Sequence, residues 1–139
     1  MFVLDTNVVS ELRKARTGKA DARVVAWASS IRPAALFLSV VTFMEIEQGI
    51  LRLERRDLRQ GTLIRHWFVH QVQPAFAGRV LAIDDAVALR CARLHVPDPR
   101  DERDALIAAT ALVHGMTVVT RNTADFARSG VGLVDPFSA

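Results

Sequence analysis

The sequence predicts an α/β fold in which a mostly parallel central sheet of about five strands is flanked by helices. Short apolar runs alternate along the chain with longer segments of helical periodicity, which is the pattern of successive strand–helix–strand units. Most of these runs are apolar throughout rather than at every second residue, as is typical of parallel strands that are buried on both faces. Crossover connections of one hand then place the helices as the outer layers of a three-layer sandwich.

Five apolar runs predict the strands of this sheet. The first run is ended by Asp5, and the last lies before Pro136 and is expected at an edge of the sheet. The predicted strands are Met1–Leu4, Leu36–Val41, Val80–Ile83, Thr117–Thr120 and Val131–Val134.

Helices are predicted between the strands from apolar periodicity, capping residues and breakers. Gly18 ends the first helix, Asp21 caps the second before Pro33, and Gly115 provides a left-handed cap for a later one. Gly61 is expected to bend the longest helical segment. The predicted helices cover Asn7–Arg16, Asp21–Ile31, Thr42–Arg56, Asp57–Gln73, Asp85–Leu94, Glu102–His114 and a short segment from Thr123.

Composition indicates a single soluble domain over residues 1–139. Half of the residues are hydrophobic, which suffices for one core, and there is no repeat or linker. No apolar stretch approaches the roughly 20 residues that span a bilayer, and we expect neither an export signal nor a membrane span. Cys91 is the only cysteine, which excludes an intrachain disulfide and a cysteine metal cluster and fits the reducing cytoplasm. Its helical spacing with Val87 and Leu94 predicts a core side chain.

The charge distribution suggests a basic surface around an acidic hollow. The chain has 18 basic and 15 acidic residues and a net charge of +3. If four acids are gathered in one site, 18 basic residues face only 11 acidic ones elsewhere. Such a surface attracts a polyanion while the hollow requires cations, which suits a metal-dependent enzyme that acts on nucleic acid.

Four acids lie at or just after the start of a predicted helix, and three of those helices follow a strand. They are Asp5, Glu45, Asp104 and Asp125. Because parallel strands end at one edge of a sheet, this placement would gather carboxylates where open α/β sheets bind ligands. Helix capping explains each residue equally well when it is considered alone, since Thr42 and Glu45 have capping-box spacing and Asp101 can cap the helix of Asp104.

Small polar side chains accompany two of these acids and favour a binding site. Thr6 and Asn7 follow Asp5, and Thr120 and Asn122 precede Asp125. Four gathered carboxylates repel one another, and Mg²⁺ or Mn²⁺ would make the cluster tolerable. A donor set of hard oxygens without a nearby histidine argues against zinc.

At these positions the chain resembles the PIN-domain ribonucleases, in particular the VapC toxins of bacterial toxin–antitoxin pairs and their FitB-like members. Four segments carry the resemblance, in order and over essentially the whole chain. They are Leu4–Leu12, Ser39–Gly49, Asp104–Ala109 and Thr120–Phe126.

The resemblance implies a PIN fold, Mg²⁺ or Mn²⁺ as cofactor, and endonucleolytic cleavage of RNA. By carry-over, Asp5 and Asp104 are direct metal ligands, Asp125 binds metal directly or through water, and Glu45 holds a second ion or positions the attacking water. A supporting polar shell would consist of Thr6, Asn7, Thr120 and Asn122. The resemblance also implies a homodimer or dimer-based assembly and a small antitoxin partner, for which the apolar set around Ile50, Leu53, Trp67 and Phe68 is a candidate groove.

A basic segment near the expected site is a candidate for RNA contact. Its cations are Arg13, Lys14, Arg16 and Lys19. The main alternative is a non-catalytic PIN-like module that binds RNA or protein without turnover. A phosphoryl-transfer enzyme of the haloacid-dehalogenase kind fits less well because Asn7 stands where a second Asp is needed, and a receiver domain lacks its lysine because the only lysines are Lys14 and Lys19.

Overall fold

The computed structural model describes residues 1–138 and contains a five-stranded sheet in which every paired strand is parallel to its neighbour. The strand order is β3-β2-β1-β4-β5, so β1 lies at the centre. The predicted α/β architecture is confirmed, with a sheet that is wholly rather than mostly parallel. The strands are β1 (Phe2–Leu4), β2 (Leu36–Ser39), β3 (Val80–Leu81), β4 (Thr117–Val119) and β5 (Leu133–Val134).

Helices connect the strands and cover both faces of the sheet. Short 3₁₀ turns at Lys14–Thr17 and Pro33–Ala35 supplement them, and a wider π turn occupies Phe68–Val72. The helices are α1 (Thr6–Arg13), α2 (Ala22–Ser29), α3 (Val40–Arg56), α4 (Leu58–Trp67), α5 (Gln73–Ala75), α6 (Asp85–Leu94), α7 (Glu102–His114) and α8 (Thr123–Phe126).

Adjacent residues of the central strand pack in two different apolar layers. Leu4 packs with Val8, Leu38 and Ile50 on one face of the sheet. Val3 packs with residues of α7 and α8 on the other face. Since successive side chains of a strand point to opposite faces, β1 is buried on both sides, as its uninterrupted apolar sequence predicts.

Small side chains let α7 approach the sheet closely. Its buried positions include four alanines, which are Ala105, Ala108, Ala109 and Ala111. Ala108 and Ala111 belong to the same layer as Val3 of β1. This packing fixes the first turn of α7, which carries Asp104, near the end of the central strand.

The order of the strands creates a switch point at the carboxyl end of β1. The chain passes from β1 to β2 and β3 on one side, and β4 and β5 lie on the other. The ladder between β1 and β4 continues past the last paired residues, because the Asp5 backbone N–H donates to the Val119 carbonyl at 2.8 Å. Open α/β sheets bind ligands at such a switch point.

The boundary between β2 and α3 differs from the prediction. The strand was expected to reach Val41 and the helix to begin at Thr42, but β2 ends at Ser39 and α3 begins at Val40. The Ser39 hydroxyl caps the helix by accepting the Val41 backbone N–H at 3.0 Å. Thr42 is therefore inside the helix, and the capping-box interpretation of Thr42 and Glu45 is wrong.

Gly61 does not interrupt its helix, and it allows two helices to touch. It lies within α4, and a Cβ built at this position would stand 2.8 Å from the Glu54 Cα of α3. The irregularity in this part of the chain occurs later, at the π turn of Phe68–Val72. Close packing between α3 and α4 thus explains the glycine.

Other predictions about the chain can be checked directly. Cys91 is buried in α6 and packs beside Val87, as its spacing predicts. Asp21, Asp84 and Asp101 cap α2, α6 and α7 through their side chains. Within residues 1–138, no helix is both long and apolar enough to cross a membrane.

Candidate functional site

Asp5 is a buried carboxylate that accepts hydrogen bonds from three residues. It caps α1 at the end of β1, and only 6% of the residue is exposed. Its Oδ1 accepts the Thr6 backbone N–H at 2.8 Å, and its Oδ2 accepts the Thr120 hydroxyl at 2.7 Å and the Asn7 amide at 3.2 Å. Burial raises the pKa of Asp5, the bonds from Thr120 and Thr6 oppose that rise, and the negative charge of Glu45 adds to it.

Thr120 links the ends of β1 and β4 across the switch point. Its side chain is fully buried. While its hydroxyl donates to Asp5, the same oxygen accepts the Asn7 amide at 3.3 Å and the Asn122 backbone N–H at 3.0 Å. Asn7 in turn accepts the Arg121 backbone N–H at 3.1 Å through Oδ1. Asn122 therefore joins this polar network through its backbone, and we find no capping bond from its side chain.

Glu45 projects from α3 toward the same edge. The Thr6 hydroxyl donates to Glu45 Oε1 at 2.7 Å, and Thr6 Oγ1 lies 3.1 Å from the buried Thr42 hydroxyl. The other carboxylate oxygen, Oε2, lies 3.6 Å from a guanidinium nitrogen of Arg103. Arg103 also donates to the Gln48 side chain at 2.8 Å. These contacts fix the direction of the Glu45 carboxylate.

Asp104 has a strongly raised pKa. It lies in the first turn of α7, where its backbone N–H is accepted by the capping Asp101 carboxylate at 3.1 Å. Burial is the main reason that the pKa of Asp104 is raised from 3.8 to about 6. The further causes are neighbouring negative charges, in decreasing order Asp101, Asp5, Asp125 and Glu45. The fold thus brings all four predicted acids within electrostatic range of one another.

Asp125 is the most exposed of the four acids. It lies in the short helix α8, and its backbone N–H donates to the Asn122 carbonyl at 3.0 Å. Asp104 and Asp125 line the same cleft, while Asp5 and Glu45 are tied together through Thr6. The contacts therefore group the acids into two pairs, Asp104 with Asp125 and Asp5 with Glu45.

The donor set suits a hard divalent cation with an incomplete protein shell. Every candidate ligand atom of the four acids is a carboxylate oxygen, the type that Mg²⁺ and Mn²⁺ prefer. Among the described residues, no three of these acids bring their oxygens within 4.8 Å of one another. Mg²⁺ usually keeps several waters and uses one or two carboxylates, so an open arrangement fits it better than a closed cage. Burial and the neighbouring carboxylates both raise the pKa of Asp104, and a bound cation would oppose that rise.

A second group of potential ligands lies elsewhere and is internally satisfied. Cys91, His95 and Glu102 bring one ligand atom each to within 4.8 Å of one another. However, His95 Nδ1 accepts the Arg100 backbone N–H at 3.1 Å, which places the imidazole proton on Nε2, 3.1 Å from Glu102 Oε2. The nitrogen facing the group is therefore a donor with an acceptor already in place. These residues fasten α6 to α7, and they do not present a metal site.

The four cations of the basic segment predicted to contact RNA lie in different surroundings. Arg13 lines a cleft that also contains Thr6 and Glu45. Lys14 forms an ion pair with Glu11 at 3.1 Å, and the turn Lys14–Thr17 is helical rather than an open loop. Arg16 and Lys19 are exposed. Only Arg13 of this segment lies at the acidic site.

Sequence reasoning missed Arg103 and Thr42 as neighbours of Glu45. Thr42 was interpreted as a helix cap, although its position one turn before Glu45 on α3 was a usable signal. Arg103 comes from a different helix, so no sequence spacing reveals its approach. Its position directly before Asp104 was the only available indication.

Comparison with known proteins identifies one family. The family model for the PIN domain matches residues 2–131. VapC ribonuclease Y4jK of Sinorhizobium fredii (strain NBRC 101917 / NGR234) is 35% identical over 142 residues, which cover 99% of this chain and 98% of the relative. Toxin FitB of Neisseria gonorrhoeae (strain ATCC 700825 / FA 1090) is 32% identical, with 99% of each chain covered.

A solved structure also matches the whole fold. The chain in the crystal structure of FitAcB from Neisseria gonorrhoeae superposes with a TM-score of 0.90 at 31% sequence identity, and the match covers 100% of both chains. The structural similarity therefore extends over every layer of the sandwich.

Proposed function

The chain belongs to the PIN-domain family, and from that premise we propose that it is a Mg²⁺- or Mn²⁺-dependent endoribonuclease, the toxin of a VapBC-type toxin–antitoxin pair. The observation that carries the proposal is the convergence of four carboxylates, Asp5, Glu45, Asp104 and Asp125, at the switch point of the sheet, where the charges of the other three help to raise the pKa of Asp104. The names of the relatives, a VapC ribonuclease and the toxin FitB, support the activity and the biological class.

The residues divide into ligands and the groups that hold them. Asp5 and Asp104 are the direct metal ligands in this proposal, Asp125 binds directly or through water, and Glu45 holds a second ion or positions the attacking water. When bound, the cation supplies Lewis-acid stabilisation of phosphate charge and activates water as a nucleophile. Hydrolysis forms one P–O bond to water and breaks one P–O ester bond of the RNA.

The polar shell sets the direction in which the carboxylates point. The hydroxyl of Thr120 and the amide of Asn7 both bind Asp5 Oδ2, and the Thr6 hydroxyl binds Glu45 Oε1. Hydrogen bonds of this kind orient ligands and are usually worth 10- to 100-fold in metal affinity or activity, as an order of magnitude. This shell therefore prepares the site for a cation before it arrives.

The proposed partners are a small antitoxin and a second copy of the chain. The solved structures of similar proteins include FitAB bound to a DNA fragment, at a TM-score of 0.88 and 32% identity. An apolar cleft beside Glu45 is lined by residues that include Leu53 and Trp67, and we assign it to the antitoxin. Of the apolar set predicted for this groove, Ile50 and Phe68 are buried in the core, so core packing accounts for them. Purification of the chain with the product of an adjacent small open reading frame, followed by measurement of the complex mass, tests both partners.

Cleavage mapping on total RNA tests the activity. The purified chain is incubated with Mg²⁺ or with a chelator, and the fragment ends are sequenced. We expect discrete cleavage positions that require the cation. Asp104→Asn should abolish them, whereas Asp85→Asn should not, because Asp85 is likewise an acid in the first turn of a helix but lies in α6, outside the acidic cluster.

Two results would contradict the proposal. Cleavage that survives both the chelator and Asp104→Asn in a clean preparation would remove the metal-ligand assignment. Metal-independent RNA binding without any cleavage would instead favour a non-catalytic RNA-binding module on the same scaffold.

A further inference from the structure

A cleft of about 620 Å³ opens beside Asp104 and Asp125. One wall is the connection from α6 to α7, and the other is formed by α8 and the residues after it. Its volume is within the roughly 300–1,000 Å³ range of pockets that enclose small ligands. Two of the proposed metal ligands, Asp104 and Asp125, belong to its lining, so a substrate bound at these acids would contact the cleft.

Three arginines line this cleft. Arg93 lies in the last turn of α6, Arg100 belongs to the α6–α7 connection, and Arg128 follows α8. Arg93 and Arg128 are exposed, and within residues 1–138 none of the three has a guanidinium nitrogen within 4.0 Å of a carboxylate. Asp98 and Asp101 also line the cleft, and Asp101 keeps its negative charge although it caps α7. Apart from the proposed metal ligands Asp104 and Asp125, three arginines therefore stand beside two acids in this lining.

A second cleft, beside Glu45, has different chemistry. It has a volume of about 350 Å³, Thr6 and Glu45 are part of its lining, and Arg13 is the single cation among its lining residues. Most of its floor is aliphatic or aromatic, including Ile46 and Ile64. When a cation offsets the charges of Asp104 and Asp125, the cleft beside them offers a polyanion three guanidinium groups, against one in the cleft beside Glu45.

Hydrogen bonds hold the α6–α7 connection in a defined position. The Arg100 guanidinium Nε donates to the Leu94 carbonyl at 2.9 Å, and its backbone N–H donates to His95 Nδ1 at 3.1 Å. His95 in turn contacts Glu102 of α7 at 3.1 Å. The wall that carries Arg100 and the prolines Pro97 and Pro99 is thus pre-organised, which lowers the entropy cost of binding a flexible strand.

From these observations we infer that the cleft holds the single-stranded RNA on one side of the phosphodiester to be cut, with Arg93 and Arg128 at its phosphates and Pro97 and Pro99 against a nucleoside. This inference rests on the proposed ribonuclease function and adds the path of the substrate. Phosphate contacts of this type position a nucleic acid without reading its sequence, so the cleft sets affinity and register.

The test compares two double variants that lose the same charge. Arg93→Ala/Arg128→Ala removes the cleft cations that make no hydrogen bond to the wall. Arg55→Ala/Arg56→Ala is the matched control, because both arginines are exposed in the last turn of α3, beginning ten residues or roughly 15 Å beyond Glu45 along that helix. A short fluorescein-labelled single-stranded RNA is titrated by anisotropy with Ca²⁺ replacing Mg²⁺, and a denaturing gel checks that the RNA stays intact.

The cleft variant should lose a defined part of the salt-dependent affinity. Each phosphate contact to a single strand contributes about 0.7 to the slope of log K against log salt, so two lost contacts reduce the slope by about 1.4 and the affinity by about 25-fold at roughly 0.1 M salt. The control should keep the wild-type slope. Mn²⁺ binding by the cleft variant should equal that of the wild type, because neither arginine is a ligand.

The outcomes separate this inference from the function on which it rests. Wild-type slope and affinity in the cleft variant would overturn the inference, even if the chain cleaves RNA. No RNA binding by the wild type would also overturn it. A selective loss of binding in the cleft variant supports the inference, and if the wild type then fails to cut any RNA, it is the proposed ribonuclease activity that is wrong.

Discussion

Asp104→Asn should stabilise the metal-free protein in a manner that depends on pH. The carboxyl has a pKa raised to about 6 by burial and neighbouring charges, against 3.8 in its ordinary state. Below about pH 4 it is protonated in both folded and unfolded chains, so the substitution has little effect. Between about pH 4 and 6 the folded protein retains a proton that the unfolded chain has lost, so the wild-type free energy of unfolding falls as pH rises.

The size of the effect follows from the shift. About two pH units at 1.36 kcal/mol each give an upper limit of about 3 kcal/mol above pH 6. Asp104 is only partly buried, so solvent screening reduces this figure. The substitution also loses a favourable charge in the first turn of α7, worth roughly 0.3–1 kcal/mol. We therefore expect a net gain of about 1–2 kcal/mol at about pH 8.

Urea unfolding with a chelator present measures this gain, with the fluorescence of Trp27 and Trp67 as the signal. Protein concentration is held constant, and Asp85→Asn serves as the control. Addition of Mg²⁺ should reverse the order, because the wild type gains binding energy that the variant lacks. A destabilised Asp104→Asn protein, or a difference that does not change between about pH 4 and pH 8, would refute the electrostatic reasoning.

Three further predictions follow from single contacts. Asp5→Asn should lower the free energy of unfolding in urea by about 1–3 kcal/mol. Asp5 accepts hydrogen bonds through both carboxylate oxygens, whereas the amide of Asn has only one oxygen that can accept them. Equal stability of the variant and the wild type would contradict this. Thr120→Val should weaken Mn²⁺ binding about 10- to 100-fold by calorimetry, and an unchanged affinity would show that Asp5 needs no orienting hydroxyl. Gly61→Ala should lower the free energy of unfolding in urea by about 1–3 kcal/mol, because its Cβ would crowd Glu54. Gly49→Ala should not lower it, because a Cβ at Gly49 would meet open space. Equal effects of the two substitutions would exclude the close packing at Gly61.

The sequence was sufficient to predict where the acids gather. Apolar runs mark the ends of β1 and β4, and a parallel sheet brings those ends to one edge, so the proximity of Asp5 and Thr120 follows from topology alone. The placement of Asp104 also depends on the close approach of α7, which its alanines indicate. These are consequences of hydrophobic periodicity, which sequence records well.

Details that depend on how two helices meet could not be predicted. The contact of Arg103 with Glu45 requires the mutual rotation of α7 and α3. Gly61 was expected to bend a helix because sequence does not show that Glu54 of α3 packs against it. The start of α3, with its cap included, was predicted three residues too late at Thr42, because Ser39 and Thr42 are both suitable caps in the sequence, and the structure uses Ser39.

The cleft beside Asp104 and Asp125 likewise could not be predicted from the sequence. Sequence reasoning directed attention to the basic segment of Arg13, Lys14, Arg16 and Lys19, because its cations are clustered along the chain. The structure instead gathers Arg93, Arg100 and Arg128 from three separate places beside the acids. Clustering in space arises from tertiary packing, and spacing along the chain carries little information about it.

The central claim is that the acids at the carboxyl edge of the sheet form a divalent-metal centre. Titration of the purified chain with Mn²⁺, followed by electron paramagnetic resonance of the free ion, tests it most directly. We expect saturable binding by the wild type and by Asp85→Asn, and strongly weakened binding by Asp104→Asn. Binding that is equally tight in Asp104→Asn, or absent from the wild type, would contradict the claim.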